Sequence, residues 1–129
     1  MPVNPDILAV PQGCTNHRVR QLMRSVGQVY DAHLNETGLR ITQYSLLSHV
    51  LAAGPVRPSD LARRMRMDAS TLTRNLKPLM DAGWVRMGQG EDQRSRLVHI
   101  TDAGQAKREE AKQRWKTAQN ELNARVGLA

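Results

Sequence analysis

The sequence predicts a mainly α fold with a small β-hairpin wing: a winged helix-turn-helix with long N- and C-terminal dimerisation helices. Three observations lead there. Two short strand-like runs, Trp84–Met87 and Leu97–Ile100, are joined by a turn containing Gly88, Gly90 and the acidic pair Glu91-Asp92. Directly upstream, a short helix opening at Asp68 carries polar residues between leucines at helical spacing. Downstream, Thr101 is placed to cap a long polar helix whose apolar stripe is too thin to anchor it to a large core. The same hairpin would also fit the surface of a small α+β domain.

Residues 1–14 contain three prolines and few apolar anchors and are expected to form a flexible arm. Val19, Leu22, Val26, Val29 and Tyr30 share one helical face, so residues 15–36 read as a dimerisation helix that Gly38 stops. The DNA-binding lobe spans residues 37–100. Its first helix is expected to start at Thr42 as cap and to bury Leu46, Leu47, Val50 and Leu51, before Ala53-Gly54-Pro55 breaks it. Pro58 and Ser59 open a short helix with Leu61, Ala62 and Met65 facing inward, and a tight turn at 65–67 leads to the next.

In that next helix, capped by Asp68, the buried positions are Leu72, Leu76, Leu79 and Met80, and Gly83 stops it. Pro78 removes one backbone donor, which predicts either a mild bend or a break near Lys77. Residues 101–129 form the C-terminal dimerisation helix, reaching about Arg125. Its Ala111, Trp115, Ala118, Leu122 and Val126 are spaced nearly as a coiled-coil seam and are expected to pack along a partner helix. The alternative is a monomer in which this helix folds back over the first.

A chain of 129 residues is expected to be a single winged lobe with its dimerisation helices. The formal charge is +7, and residues 57–96 hold nine Lys or Arg against five Asp or Glu, so most of the excess falls where the reading elements lie. That favours a polyanion partner. Phenylalanine is absent and the other aromatics are scattered, which argues against stacking on single strands and for double-stranded DNA. The lone cysteine suits a reducing compartment, and no apolar stretch is long enough for a bilayer, so a cytoplasmic protein without membrane contact is expected. The four histidines have no metal-ligand spacing and no serine sits on a nucleophile elbow, so neither a metal, a cofactor nor an enzyme activity is expected.

The residues expected to touch DNA are Ser59, Ser70, Thr71, Thr73, Arg74, Lys77, Arg94 and Arg96. Arg74, on the exposed face of the helix begun by Asp68, is placed to read a guanine with two bonds, whereas Lys77 suits a phosphate. Arg94 near the hairpin tip suits a minor groove, and Asp92 would orient the wing by pairing with Arg94, Arg96 or Arg64. A nonspecific architectural DNA-binding protein remains an alternative on charge alone.

Asp92, Arg94, Val98, Ile100, Thr101 and Gly104, together with residues 67–85 and 38–47, resemble the MarR family of bacterial winged-helix regulators. The resemblance runs in order over residues 15–126. It implies a triangular homodimer on pseudo-palindromic DNA, most often a repressor, released by a small aromatic or phenolic anion lodged between lobe and dimer region. Members commonly add a further C-terminal helix; this sequence stops at Ala129, as either a truncated or a short member would, and a weaker dimer is expected. His17, Arg20, Arg24, Arg40 and Tyr44, with Arg18 beside them, offer positive charge and an aromatic wall for such an anion. Cys14 invites comparison with the peroxide-sensing branch of the family. Tyr30 matches one of the tyrosines that bond its cysteine, but Ile41 replaces the other and Cys14 lies about two residues early.

Overall fold

The computed structural model describes residues 13–89 and 96–127, which fold into five α-helices and one β-hairpin. Helix α1 spans Thr15–Leu34 and runs into a 3-10 turn, Asn35–Thr37, closed by Gly38 in the left-handed region at φ 80°. Helix α2 is Ile41–Ala53, α3 Pro58–Arg64 and α4 Ala69–Asp81. Strands β1, Val85–Gln89, and β2, Arg96–Ile100, pair antiparallel in the register Val85↔Ile100 to Gln89↔Arg96. A single bridge, Val56↔Val98, ties the segment before α3 to the hairpin. Helix α5, Asp102–Arg125, closes the chain.

The core lies where the two lobe helices α2 and α4 meet the hairpin. Leu46, Leu47, Val50, Leu61, Leu72, Leu79, Val85 and Val98 are all buried. In α4 the positions 72, 76 and 79 recur at i, i+4 and i+7, which turns one stripe inward and leaves Ser70, Thr73, Arg74 and Lys77 exposed on the other. The Asp68 carboxylate accepts from the Thr71 backbone N–H at 2.9 Å, the N-cap bond that sequence predicted. The helix runs through Pro78 without a break, so the restart near Lys77 does not occur. At its end Gly83, at φ 79°, lets the Trp84 N–H reach back to the Leu79 carbonyl at 2.9 Å. In the α3–α4 turn Arg66 adopts φ 53°, a left-handed conformation that ordinarily favours glycine.

Two expectations need correction. Thr42 does not cap α2. The cap is Arg40, whose N–H donates to the Gln43 side chain at 3.0 Å, while the Ile41 N–H donates to the Asp31 carboxylate of α1 at 2.8 Å. A partner ten residues upstream has set where this helix begins. The middle of the α5 stripe, expected to meet a partner helix, packs within the chain, while Val126 at its end is exposed. Ala111 and Ala118 are fully buried, and Trp115 stacks on Tyr44 with ring centroids 5.7 Å apart. Helix α5 lies back along the second half of α1 and against α2. Polar clasps hold that seam: Tyr30 donates to Gln119, His33 meets Glu121 at 2.6 Å, and Arg114 meets Glu36 at 2.6 Å. The hydrogen bond with His33 holds the Glu121 carboxyl below its ordinary value, and burial raises the Tyr30 phenol above its own. No helix among the described residues is long and apolar enough to cross a membrane.

Candidate nucleic-acid interface

The exposed face of α4 gathers five of the eight residues expected to contact DNA. Ser70 and Thr71 are bound up with the cap: the Ser70 hydroxyl donates to Asp68 at 3.1 Å. Hydrogen bonds from the side chain and backbone of Thr71, then from Ser70, hold the Asp68 carboxyl below its ordinary value, and the Arg74 charge adds to this. Thr71 is half-buried and Ser70 exposed. The Thr73 hydroxyl donates back to the Ala69 carbonyl at 2.9 Å, so towards a ligand it offers acceptor lone pairs and a methyl. Among the described residues the Arg74 side chain hydrogen-bonds to the Thr71 hydroxyl, at 3.5 Å, which leaves most of its planar guanidinium fork to other partners. Lys77 is 3.6 Å from Asp81 in an exposed pair, an interaction weak enough for a phosphate to replace.

Ser59 is exposed in the first turn of α3, one residue after Pro58 at the N1 position. Arg96 is exposed at the first residue of β2, opposite Gln89, so it stands where the described part of the wing leaves the lobe. Asp92 and Arg94 lie outside the described residues. One wing cation was not singled out from sequence: Arg86 of β1 is exposed and pairs across the hairpin with His99. Its signal was present, since alternation along Val85–Met87 turns residue 86 away from the core.

The wing is docked on the lobe through its far end. The Thr101 hydroxyl donates to the Gly83 carbonyl at 2.6 Å and accepts from the Gly104 N–H at 3.0 Å, while the Thr101 N–H donates to the Trp84 carbonyl at 3.0 Å. One residue therefore caps α5 and ties it to the end of the reading helix.

The expected anion residues are only partly brought together. A cavity of about 330 Å³ does lie between α1, α2 and α5, lined by Tyr30, Ile41, Tyr44, Ser45, Ser48, Arg108 and Trp115. Of the residues named from sequence only Tyr44 lines it. His17, Arg20 and Arg24 sit on the first half of α1, and Arg40 lines hollows elsewhere. The cation at the cavity is Arg108: its guanidinium lies 5.5 Å from the Tyr44 ring centroid, and its Nε donates to the Ser48 hydroxyl at 2.8 Å. Sequence held a hint, because Arg108 falls on the same face of α5 as Ala111, Trp115 and Ala118, and an arginine on a buried stripe calls for a reason.

Cys14 is half-exposed at the N-cap of α1. Tyr30 lies sixteen residues further along the same helix, about 24 Å away at the helical rise. Its hydroxyl is committed to Gln119, so within one chain it does not meet the thiol.

A model described as the MarR family matches residues 37–95. An uncharacterised HTH-type transcriptional regulator of Bacillus subtilis, YwoH, is 32% identical over 108 residues, covering 84% of this chain and 79% of the relative. Among solved structures, the Mycobacterium tuberculosis transcriptional regulator MosR in complex with DNA superposes with a TM-score of 0.80 at 35% identity, covering 90% of this chain and 85% of that one. A mutant MarR of Escherichia coli complexed with operator DNA superposes with a TM-score of 0.79 at 23% identity over 100% of this chain and 89% of its own, a likeness of fold.

Proposed function

The chain belongs to the MarR family of bacterial winged helix-turn-helix transcriptional regulators, and from that premise we propose that it is a dimeric, sequence-specific repressor released from a pseudo-palindromic operator by a small aromatic or phenolic anion. It is a DNA-binding regulator and not an enzyme. The observation that carries the reading is the division of α4: leucines 72, 76 and 79 in the core, and Ser70, Thr73, Arg74 and Lys77 exposed beside a hairpin wing. That arrangement supports a helix entering the major groove with the exposed Arg74 towards the bases and Lys77 towards a phosphate. Selection of bound duplexes on the purified protein, followed by competition with a scrambled duplex, tests it. A recovered half-site repeated about one helical turn away supports the reading. Equal binding to the scrambled duplex would leave an architectural DNA-binding protein instead.

The dimer follows from what α1 leaves bare. Val19, Leu22 and Met23, at i, i+3 and i+4, are 56%, 61% and 67% exposed, and Val126 is 63% exposed. Four large apolar residues in water at the two ends of the chain are a surface that a second copy would cover. With Ala111, Trp115 and Ala118 occupied internally, the partner would meet the first half of α1 and the C-terminal end of α5. Sedimentation at low micromolar concentration should give twice the 14.5 kDa of the chain, and Leu22→Asp should return it to the single-chain mass. A single-chain mass for the wild type would remove the dimer.

For the effector, the cavity between α1, α2 and α5 replaces the arginines of α1. At about 330 Å³ it is within the size range of small-molecule sites, with a Tyr44–Trp115 wall for a ring and Arg108 for a carboxylate or phenolate. An anion wedged there would alter how the lobe sits on the long helices, and so the spacing of the two reading helices. Titration of aromatic acids into the protein–DNA complex should release DNA, and Arg108→Leu should abolish release while leaving DNA affinity intact. Release by peroxide alone, lost in Cys14→Ser, would give the role to the thiol.

A further inference from the structure

We propose that Arg40, with Gln43 and Asn75 beside it, forms a notch that seats a backbone phosphate on the wall of the groove, while Arg74, which lines the same hollow, reads a base; the proposal rests on the DNA-binding reading above. Arg40, Thr42 and Gln43 at the start of α2 and Arg74, Asn75 and Pro78 of α4 line one open hollow of about 220 Å³. Two guanidinium-bearing residues from different helices therefore converge on one space. Both are exposed, and among the described residues neither side chain is within ion-pair distance of a carboxylate. Asp31 shares a separate hollow with Arg40, and its Oδ1 accepts from the Ile41 N–H at 2.8 Å.

An anion held in this hollow would lie beside two exposed arginines, and its charge would be favoured there. Arg74 belongs to this hollow and to the reading face at once, so the anion must be one that lies alongside a recognition helix already in the groove. A phosphate of the flanking strand meets that condition, and a small aromatic ligand would find few apolar partners among these mostly polar residues. The notch is also built to hold its shape. Gln43 Oε1 accepts from the Arg40 N–H at 3.0 Å, which fixes the backbone at the cap and leaves the Gln43 amide nitrogen to donate. Arg40 thus moves from the effector role that sequence suggested to the DNA face.

The test is the salt dependence of binding to a mixed-sequence duplex long enough to span both lobes. Arg40→Gln should make the plot of log affinity against log salt shallower by about 0.9 for each phosphate that Arg40 neutralises, doubled if two lobes bind. Preference among sequences should not change, and Arg40→Lys should restore most of the slope. Ethylation interference should show one phosphate whose modification weakens the wild type and has no further effect on Arg40→Gln. Unchanged slope and affinity in Arg40→Gln, with wild type binding normally, would overturn the notch while sparing the function. Altered release by aromatic acids with an unchanged slope would return Arg40 to the effector site. A wild type that binds no duplex with salt dependence would overturn both. Circular dichroism of Arg40→Gln shows whether the variant is folded, and the interference pattern of the wild type decides the matter if it is not.

Discussion

Gly104→Ala is expected to destabilise the fold by about 3 kcal/mol, the upper end for overpacking a well-filled site. A Cβ at this position would overlap the Trp84 carbonyl oxygen and crowd the Ile100 side chain. Helix propensity argues the other way, since alanine in place of glycine inside a helix gains about 1 kcal/mol at most. The clash wins because its partner is backbone and cannot rotate aside. That carbonyl already accepts from the Thr101 N–H at 3.0 Å, and the neighbouring Gly83 carbonyl accepts from the Thr101 hydroxyl at 2.6 Å. Gly88→Ala supplies the comparison: its Cβ would meet the side-chain ends of His99 and Arg86, which can swing away, so the loss should be much smaller. Urea unfolding of both variants measures the difference, and similar midpoints would disprove the close approach of α5 to Trp84. A Gly104→Ala protein that still folded would carry α5 displaced from the end of the reading helix, and its DNA affinity should fall as well.

Arg74→Ala is expected to narrow the free-energy gap between the operator and a mismatched duplex by about 1–3 kcal/mol per lobe, the worth of one bidentate contact to a base edge. Availability sets this residue apart. The Ser70 and Thr73 hydroxyls donate within α4 and its cap, and Lys77 has Asp81, whereas among the described residues Arg74 holds a single 3.5 Å hydrogen bond, to Thr71. Its removal costs the fold little, because the side chain is exposed and contributes nothing to the core. Binding isotherms on matched and mismatched duplexes at one salt concentration would show the effect. A uniform loss on every sequence would make Arg74 a phosphate clamp and shift base reading to Thr73 and Ser70. The same series on Arg94→Ala should show the reverse pattern: weaker binding to most sequences and a flatter salt dependence.

Most of the lobe was legible because its signals are local. Asp68 and Thr101 bond N–H groups three residues on, Gly83 supplies one left-handed residue, and the α4 stripe repeats with the helical period, so each can be recognised from a few adjacent letters. The same locality made the exposed side of α4 readable, since exposure there is the complement of the stripe. Where a bond crosses the fold, sequence failed. Thr42 is a better cap than Arg40 by residue type, yet Asp31 and Gln43 satisfy the first N–H groups of α2 from outside and from within.

The amino-acid sequence by itself determined the order and kind of the elements, the exposed polar face of α4 and the family. Only the tertiary structure decided which residues share a cavity. Arg108 meets Ser48 across 60 positions and His33 meets Glu121 across 88, distances over which no periodicity carries information. Arg40 likewise faces α4 and not the cavity, although it stands only four residues from Tyr44. The physical reason is that a helix cap and a helix stripe are closed by neighbours along the chain. A pocket is closed by whatever α5 brings back when it folds over α1 and α2, and that is settled by packing.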